Sequence, residues 1–194
     1  MASVHHDVGG ESGFCRGTPL DADFFARPSD EVAPDLIGKI LWSPRRGGGR
    51  LTEVEAYLPV EDPASHSAPG PTKRNAAMFG PPGTIYVFLS YGVHYLLNLV
   101  CDRPEIGSAV LIRAFEPLCG PGRVGKALGV HPSLNGLPLG EASGLFILDD
   151  GTRPAVGVTT RIGISRGDTL PLRYYSLDSK CVTRRSATRG GPCT

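Results

Sequence analysis

Two carboxylates and a tyrosine alternate in "LTEVEAYL", Leu51 to Leu58. As a strand, its period of two puts Glu53, Glu55 and Tyr57 on one side and Thr52, Val54, Ala56 and Leu58 on the other. Two acids on one face suit general-base work, one taking a proton while the other orients water, although a solvated strand surface is the commoner reason for such a pattern. Downstream, His66 stands in a loop near Glu61 and Asp62. It can hydrogen-bond a substrate, join the acids around a metal, or make an ordinary loop contact. No HxH, HxxxH or HExxH pair accompanies it, so a metal site is not signalled. Asn98 and Arg113 fall inside apolar runs, where an unpaired polar group is costly, and are either satisfied core groups or pocket-lining ones. Arg45, Arg46, Arg50, Lys73, Arg74, Arg184, Arg185 and Arg189 are spread over separate loops and form a phosphate-binding surface only if the fold gathers them. "GPPGT" lacks the phosphate-loop pattern, and Ser90 with His94 makes no GxSxG nucleophile arrangement.

These residues need elements to hold them. "SDEVAPDLIGKILW" predicts a short helix feeding a strand, with Ser29 as its cap, Pro34 in its first turn and Gly38 at its end. "RRGGGR", Arg45 to Arg50, reads as a loop, and so does "PVEDPASHSAPGPTKRN", rich in Pro and Gly. "TIYVFL", "VHYLLNLVC" and "GSAVLIRAFEP" read as an antiparallel meander. The first two are joined by Ser90-Tyr91-Gly92, which sets Tyr91 at a hairpin tip, where turns favour small residues and an aromatic buries nothing in its own core. "GPGRVGKALG" predicts a short helix ended by Gly129. "PAVGVTTRIGISRG" and "LPLRYYSL" read as further strands.

The chain has 194 residues with 26 Gly, 18 Pro and 5 Cys, and a formal net charge of +1. That length suits one domain, and the Gly and Pro content favours short elements. We expect a disordered leader over residues 1–17, a single domain over 18–180 and a basic, fraying tail over 181–194. No apolar stretch is long enough to cross a membrane and no secretory signal is visible. The cysteine spacing indicates neither a disulfide framework nor a zinc site, which makes a reducing cytoplasm the simplest home. With so little net charge, nucleic-acid binding would have to come from a local basic face.

The order of the blocks "LTEVEAYLPVEDPASHS", "RNAAMFGPPGTIYVFLSYGVHYLLNLV", "AVLIRAFEPL", "GPGRVGKALGV" and "RIGISRGDTLPLRYY" resembles the alkyladenine (3-methyladenine) DNA glycosylase family, the monofunctional purine glycosylases of base-excision repair. The resemblance runs from about Pro28 to about Leu177, and the stretch between Pro117 and Gly120 is short of a loop against larger members. It implies an α+β single domain with a curved, mostly antiparallel β-sheet and peripheral short helices. It implies Glu55 as general base with Arg113 beside it. Tyr57 and Phe88 would stack on the extracted base, His66 would hydrogen-bond it, and Asn98 would hinder unmodified guanine. Tyr91 would fill the gap left in the minor groove, with Val93 beside it, and Thr72, Lys73, Arg74 and Asn75 would touch the DNA backbone. Phe88 stands where many members have tyrosine and Val93 where some have methionine.

The implied partner is damaged double-stranded DNA, bound by a monomer without metal or cofactor. The chemistry is coherent: a base must leave the stack to be reached, and a wedge offsets part of that cost. Alkylation makes the purine cationic, which favours aromatic stacking and eases departure. Glu53 would raise the pKa of Glu55, and Arg113 would oppose the rise. No lysine stands beside the constellation to form a Schiff base, so base excision without strand cleavage is expected. The alternative is a nucleic-acid-binding module of the same fold without catalysis; a metal-dependent hydrolase using Glu53, Glu55 and His66 is a third reading.

Overall fold

Glycine and proline punctuation cuts the chain into short elements, and the computed structural model describes them over residues 17–183. β1 (Thr18–Pro19) and α1 (Ala22–Phe25) lead into α2 (Ser29–Leu36), β2 (Ile40–Ser43) and the long β3 (Gly47–Tyr57). After the Pro/Gly-rich loop come β4 (Ile85–Ser90), β5 (His94–Cys101) and β6 (Ser108–Phe115), then β7 (Leu118–Cys119), α3 (Pro121–Leu128), β8 (Phe146–Asp149), β9 (Val156–Thr159) and β10 (Arg173–Ser176). The strand order is β1-β8-β2-β3-β6-β5-β4, with β10 joining β3 to β9 and β7 beside β6. Every pairing is antiparallel. The result is the single α+β domain with a curled antiparallel sheet that the resemblance implies.

β3 is the pivot. Its first residues pair with β2 and its later ones with β6 and β10, and the register shifts between Leu51 and Val54. An irregularity of this kind bends a strand and re-aims its side chains. Val54 and Ala56 face the main core as the alternation requires, but Thr52 does not join them; its hydroxyl donates to the Cys181 carbonyl at 2.6 Å. "RRGGGR" is a loop only at its head: Arg45 and Arg46 lie in a turn, and Gly47 to Arg50 are strand. Its glycines serve close packing, since a Cβ on Gly48 would strike the Leu41 carbonyl and one on Gly49 the Glu116 carbonyl.

The helix in "SDEVAPDLIGKILW" forms, with different ends. Pro28 is the cap, Ser29 is the first helical residue, and Pro34 lies in the last turn instead of the first. The Ser29 hydroxyl instead donates to the Tyr57 carbonyl at 3.1 Å, tying α2 to the end of β3. Gly38 (φ +90°) follows the helix as expected. α3 ends on Gly129 in the left-handed conformation. The meander of β4, β5 and β6 stands as read.

The cysteine reading is corrected. Cys119 and Cys181 form a disulfide across 62 residues of sequence. One long-range pair has no spacing signature, and the cysteine argument for a reducing compartment falls with it. Residues 181–183, the head of the expected tail, are docked against β3, where the Thr183 N–H donates to Glu53 at 2.6 Å. The remainder of that tail, with Arg184, Arg185 and Arg189, and the leader apart from Gly17 lie outside the described residues. No described helix is long and apolar enough to cross a membrane.

The sheet has two unlike faces. Val54, Ala56, Ile85, Val87, Leu97, Leu99, Val110 and Ile112 pack with Val32, Ala33 and Leu36 of α2 and Val124 and Leu128 of α3 in the main core. The alternate residues of the same strands face away from it. There Met78, Tyr86, Val100 and Ala109 form a second, smaller cluster, with Tyr57 and Phe88 packed on it.

Candidate active site

Period two carries Glu55, Asn98 and Arg113 of the central strands to that second face. Arg173, Glu55, Leu111, Asn98 and Tyr86 are register partners in turn across β10, β3, β6, β5 and β4. Directly opposed residues share a face and have their Cβ atoms within contact range. One row therefore links a carboxylate at the β3 end to an aromatic at the β4 end.

The Glu55 side chain is fully buried. Its Oε1 accepts from the Ile162 N–H at 2.8 Å, and its Oε2 accepts from the Tyr57 hydroxyl at 3.1 Å and pairs with Arg113 Nη1 at 3.1 Å. A carboxylate offers about four lone-pair positions, so these contacts leave one on Oε1 for a further donor. Burial raises the pKa of Glu55; Arg113, the Ile162 N–H and the Tyr57 hydroxyl pull it back, and Glu53 adds to the rise. Burial works against the charge of Arg113, but Glu55 and Glu53 outweigh it and hold the guanidinium firmly protonated. Glu53 is the anchor behind: its Oε1 takes Arg113 Nε at 2.8 Å and Arg173 Nη1 at 3.0 Å. Burial also raises the pKa of the Tyr57 phenol, keeping it a donor to Glu55.

Three contributors to this arrangement escape a reading of the sequence. Ile162 acts through its backbone, and Arg173 and Arg161 reach the site from loops and strands more than a hundred residues beyond β3. Arg161 is buried and forms a two-pronged pair with Asp62, at 2.5 and 2.6 Å, while its guanidinium lies 4.6 Å from the Tyr57 ring centroid.

In front of this layer opens a cleft of about 410 Å³. Tyr57, His66, Phe88 and Asn98, the residues expected to contact the base, line it together with Arg113. His66 Nδ1 lies 2.8 Å from the Tyr86 hydroxyl, and its ring meets the Phe88 ring edge-on at 4.5 Å. Burial, with help from Arg74, lowers the pKa of His66 and favours the neutral ring. Burial pushes the Tyr86 phenol up to about 12. Asn98 is fixed by its Nδ2, which donates to the Tyr86 carbonyl at 3.1 Å. Among the described residues no group of three or more acids, histidines or cysteines is arranged to hold a metal ion.

The rim is set by the β4–β5 hairpin and the Pro/Gly-rich loop. Tyr91 is 85% exposed and Val93 69%. Tyr91 (φ 49°) and Gly92 (φ 70°) both have positive φ, and the Val93 N–H closes the turn onto the Ser90 carbonyl at 3.1 Å. Thr72, Lys73 and Arg74 are exposed, and Arg74 also lines the cleft. Asn75 differs: it is buried, its Oδ1 accepting from Thr72 and its Nδ2 donating to the carbonyls of His66 and Gly70. It braces the loop from within, so its side chain is not presented to a DNA backbone.

The family model described as methylpurine-DNA glycosylase (MPG) matches residues 23–120 and 118–180. The two segments meet where the sequence reads as short of a loop. A protein of Rhizobium meliloti (strain 1021) is 46% identical over 184 residues, covering 85% of this chain and 96% of its own. One of Rhodopseudomonas palustris (strain BisB18) is 44% identical, covering 87% and 92%. One of Burkholderia cenocepacia (strain HI2424) is 41% identical, covering 81% and 87%. All three carry the name "Putative 3-methyladenine DNA glycosylase".

Proposed function

The chain belongs to the methylpurine-DNA glycosylase family and is a DNA-repair hydrolase; on that premise we propose that it flips alkylated purines, 3-methyladenine and 7-methylguanine, out of duplex DNA and hydrolyses their N-glycosidic bonds. The observation that carries the reading is a buried carboxylate, Glu55, clamped by Arg113 and the Ile162 N–H directly behind an aromatic cleft. The purine lies between Tyr57 and Phe88, whose π faces favour a cationic base. His66 hydrogen-bonds it, and Asn98 stands in the way of unmodified guanine. A water on the remaining Oε1 position attacks C1′; the C1′–N bond breaks with its electron pair leaving on the purine, and the proton passes to Glu55. Arg113 keeps the carboxylate ionised and in place. Tyr91, with Val93 beside it, enters the duplex where the base has left, while Thr72, Lys73 and Arg74 hold the backbone. The product is an abasic site in an uncut strand, made by one protein molecule per lesion in the compartment that holds DNA.

The test is release of 3-methyladenine and 7-methylguanine from methylated duplex under single-turnover conditions. Glu55→Gln is expected to slow release by at least about 100-fold. Equal rates for the two proteins would remove Glu55 from the chemistry. Duplex carrying hypoxanthine, a neutral base, is expected to be a far poorer substrate in the same assay, since Phe88 has no hydroxyl to offer it.

A further inference from the structure

Residues 160–167 have no regular secondary structure, so their side chains must hold them in place. Arg161 does most of this. Its Nη1 donates to Asp62 Oδ2 at 2.5 Å and the Ala56 carbonyl at 3.0 Å; its Nη2 donates to Asp62 Oδ1 at 2.6 Å and the Gly167 carbonyl at 3.3 Å. Asp62, equally buried, accepts in addition from the N–H groups of Leu58 and Ala64, both at 3.1 Å. The pair thus joins three segments: the end of β3, the loop that carries His66, and residues 160–167. The guanidinium lies over the Tyr57 ring, and the next residue, Ile162, supplies the N–H that holds Glu55. Arg161 Nε is buried without a partner. A buried donor left unpaired is costly, so the fork is oriented by its Asp62 and carbonyl contacts at the expense of its third nitrogen.

We propose that Arg161 and Asp62 are positioning residues for the reaction, fixing the Ile162 N–H against Glu55 and the Tyr57 ring against the bound base through one buried pair. The inference rests on the general-base reading of Glu55. Bidentate geometry is what allows a single side chain to serve a carboxylate, two carbonyls and an aromatic face, and a lysine cannot reproduce it. The charged and titratable groups around Glu55 are Glu53 and Tyr57 on its own strand, Arg113 on β6 and Arg173 on β10. Arg161 acts on it only through Ile162 and Tyr57. Loss of the Ile162 N–H removes a hydrogen bond to the ionised form, which raises the pH at which Glu55 becomes a base.

The test uses the full chain with three variants: Arg161→Lys, Asp62→Asn and the charge-free double variant Arg161→Met with Asp62→Leu. Single-turnover release of 3-methyladenine is followed against pH, alongside binding to duplex carrying an abasic-site analogue, which contains no base to stack. All three are expected to lower the rate at neutral pH by about tenfold or more and to move the acidic limb upward by roughly half a unit or more, with abasic-site binding unchanged. The double variant leaves no buried charge unpaired and carries the test if the single variants do not fold. A double variant with wild-type rate and limb overturns the proposal, and so does a lowered rate with an unmoved limb. Should Glu55→Gln release base as fast as wild type, the general-base reading is what fails, and the limb then belongs to another group.

Discussion

Glu55 sits in a conflict between stability and chemistry. Burial raises its folded-state pKa above the unfolded value. A group shifted in that direction contributes stability below its unfolded pKa and loses it as pH rises through the folded one. The protein therefore gives up stability at the pH where Glu55 is ionised, which is where a general base is useful. Arg113 limits the loss by pairing with both Glu53 and Glu55. Base release from methylated duplex should rise with pH along a limb lying above the usual glutamate value of about 4.3. Arg113→Met should push that limb higher still. It should also lower the unfolding free energy by about 3–5 kcal/mol in urea titrations, because two buried carboxylates lose a partner. An unchanged limb in Arg113→Met would show that the pairing does not govern Glu55. At this scale the sequence is informative where strand alternation or a polar residue in an apolar run marks a position, as for Glu55, Tyr57, Asn98 and Arg113. It is silent on Arg161, Arg173 and the Ile162 N–H, whose contacts join residues about a hundred positions apart and leave no local pattern.

The β4–β5 hairpin holds Phe88 on one arm, Asn98 on the other and Tyr91 at the tip, so the exposed ring and part of the cleft keep a fixed separation. Tyr91 and Gly92, the first two of the three residues that connect the strands, both have positive φ. Gly92 adopts it freely. A tyrosine there carries strain, and strain of this kind persists at sites where function demands the side chain. Tyr91→Gly should relieve it, raising stability by about 1 kcal/mol in chemical unfolding while weakening binding to lesion-containing duplex. Weaker binding with lowered stability would make the ring a structural support. The hairpin and the meander were legible because turn chemistry and apolar alternation agree locally. The bend in β3, the strand nature of Gly47–Arg50, the short β8 and the Cys119–Cys181 bond were not. Each is decided by what approaches from a distant part of the chain, such as the Leu41 and Glu116 carbonyls that exclude a Cβ from Gly48 and Gly49.

Across the whole molecule, the charges divide into a buried set and an exposed set with different tasks. Glu53, Glu55 and Asp62 are matched by Arg113, Arg161 and Arg173, all buried, so this layer behind the cleft is close to neutral and adds little to the field outside. With a net charge of +1, the attraction to DNA has to arise from local sets of cations, and among the described residues the exposed ones near the cleft are placed for it. Lys73 and Arg74, on the loop braced by Asn75, are the best placed. Counterion release predicts that log K falls with log[salt] by about 0.9 for each phosphate neutralised. Lys73→Ala should therefore weaken binding to lesion-containing and undamaged duplex alike and reduce the salt slope by about one, with the rate of release from saturated complex unaltered. Arg74→Ala should reduce the slope equally but also slow release, because Arg74 lines the cleft and contributes to keeping His66 neutral. Fluorescence anisotropy over a salt series, paired with single-turnover release, separates the two. Identical behaviour of the variants in both measurements would place Arg74 on the backbone alone.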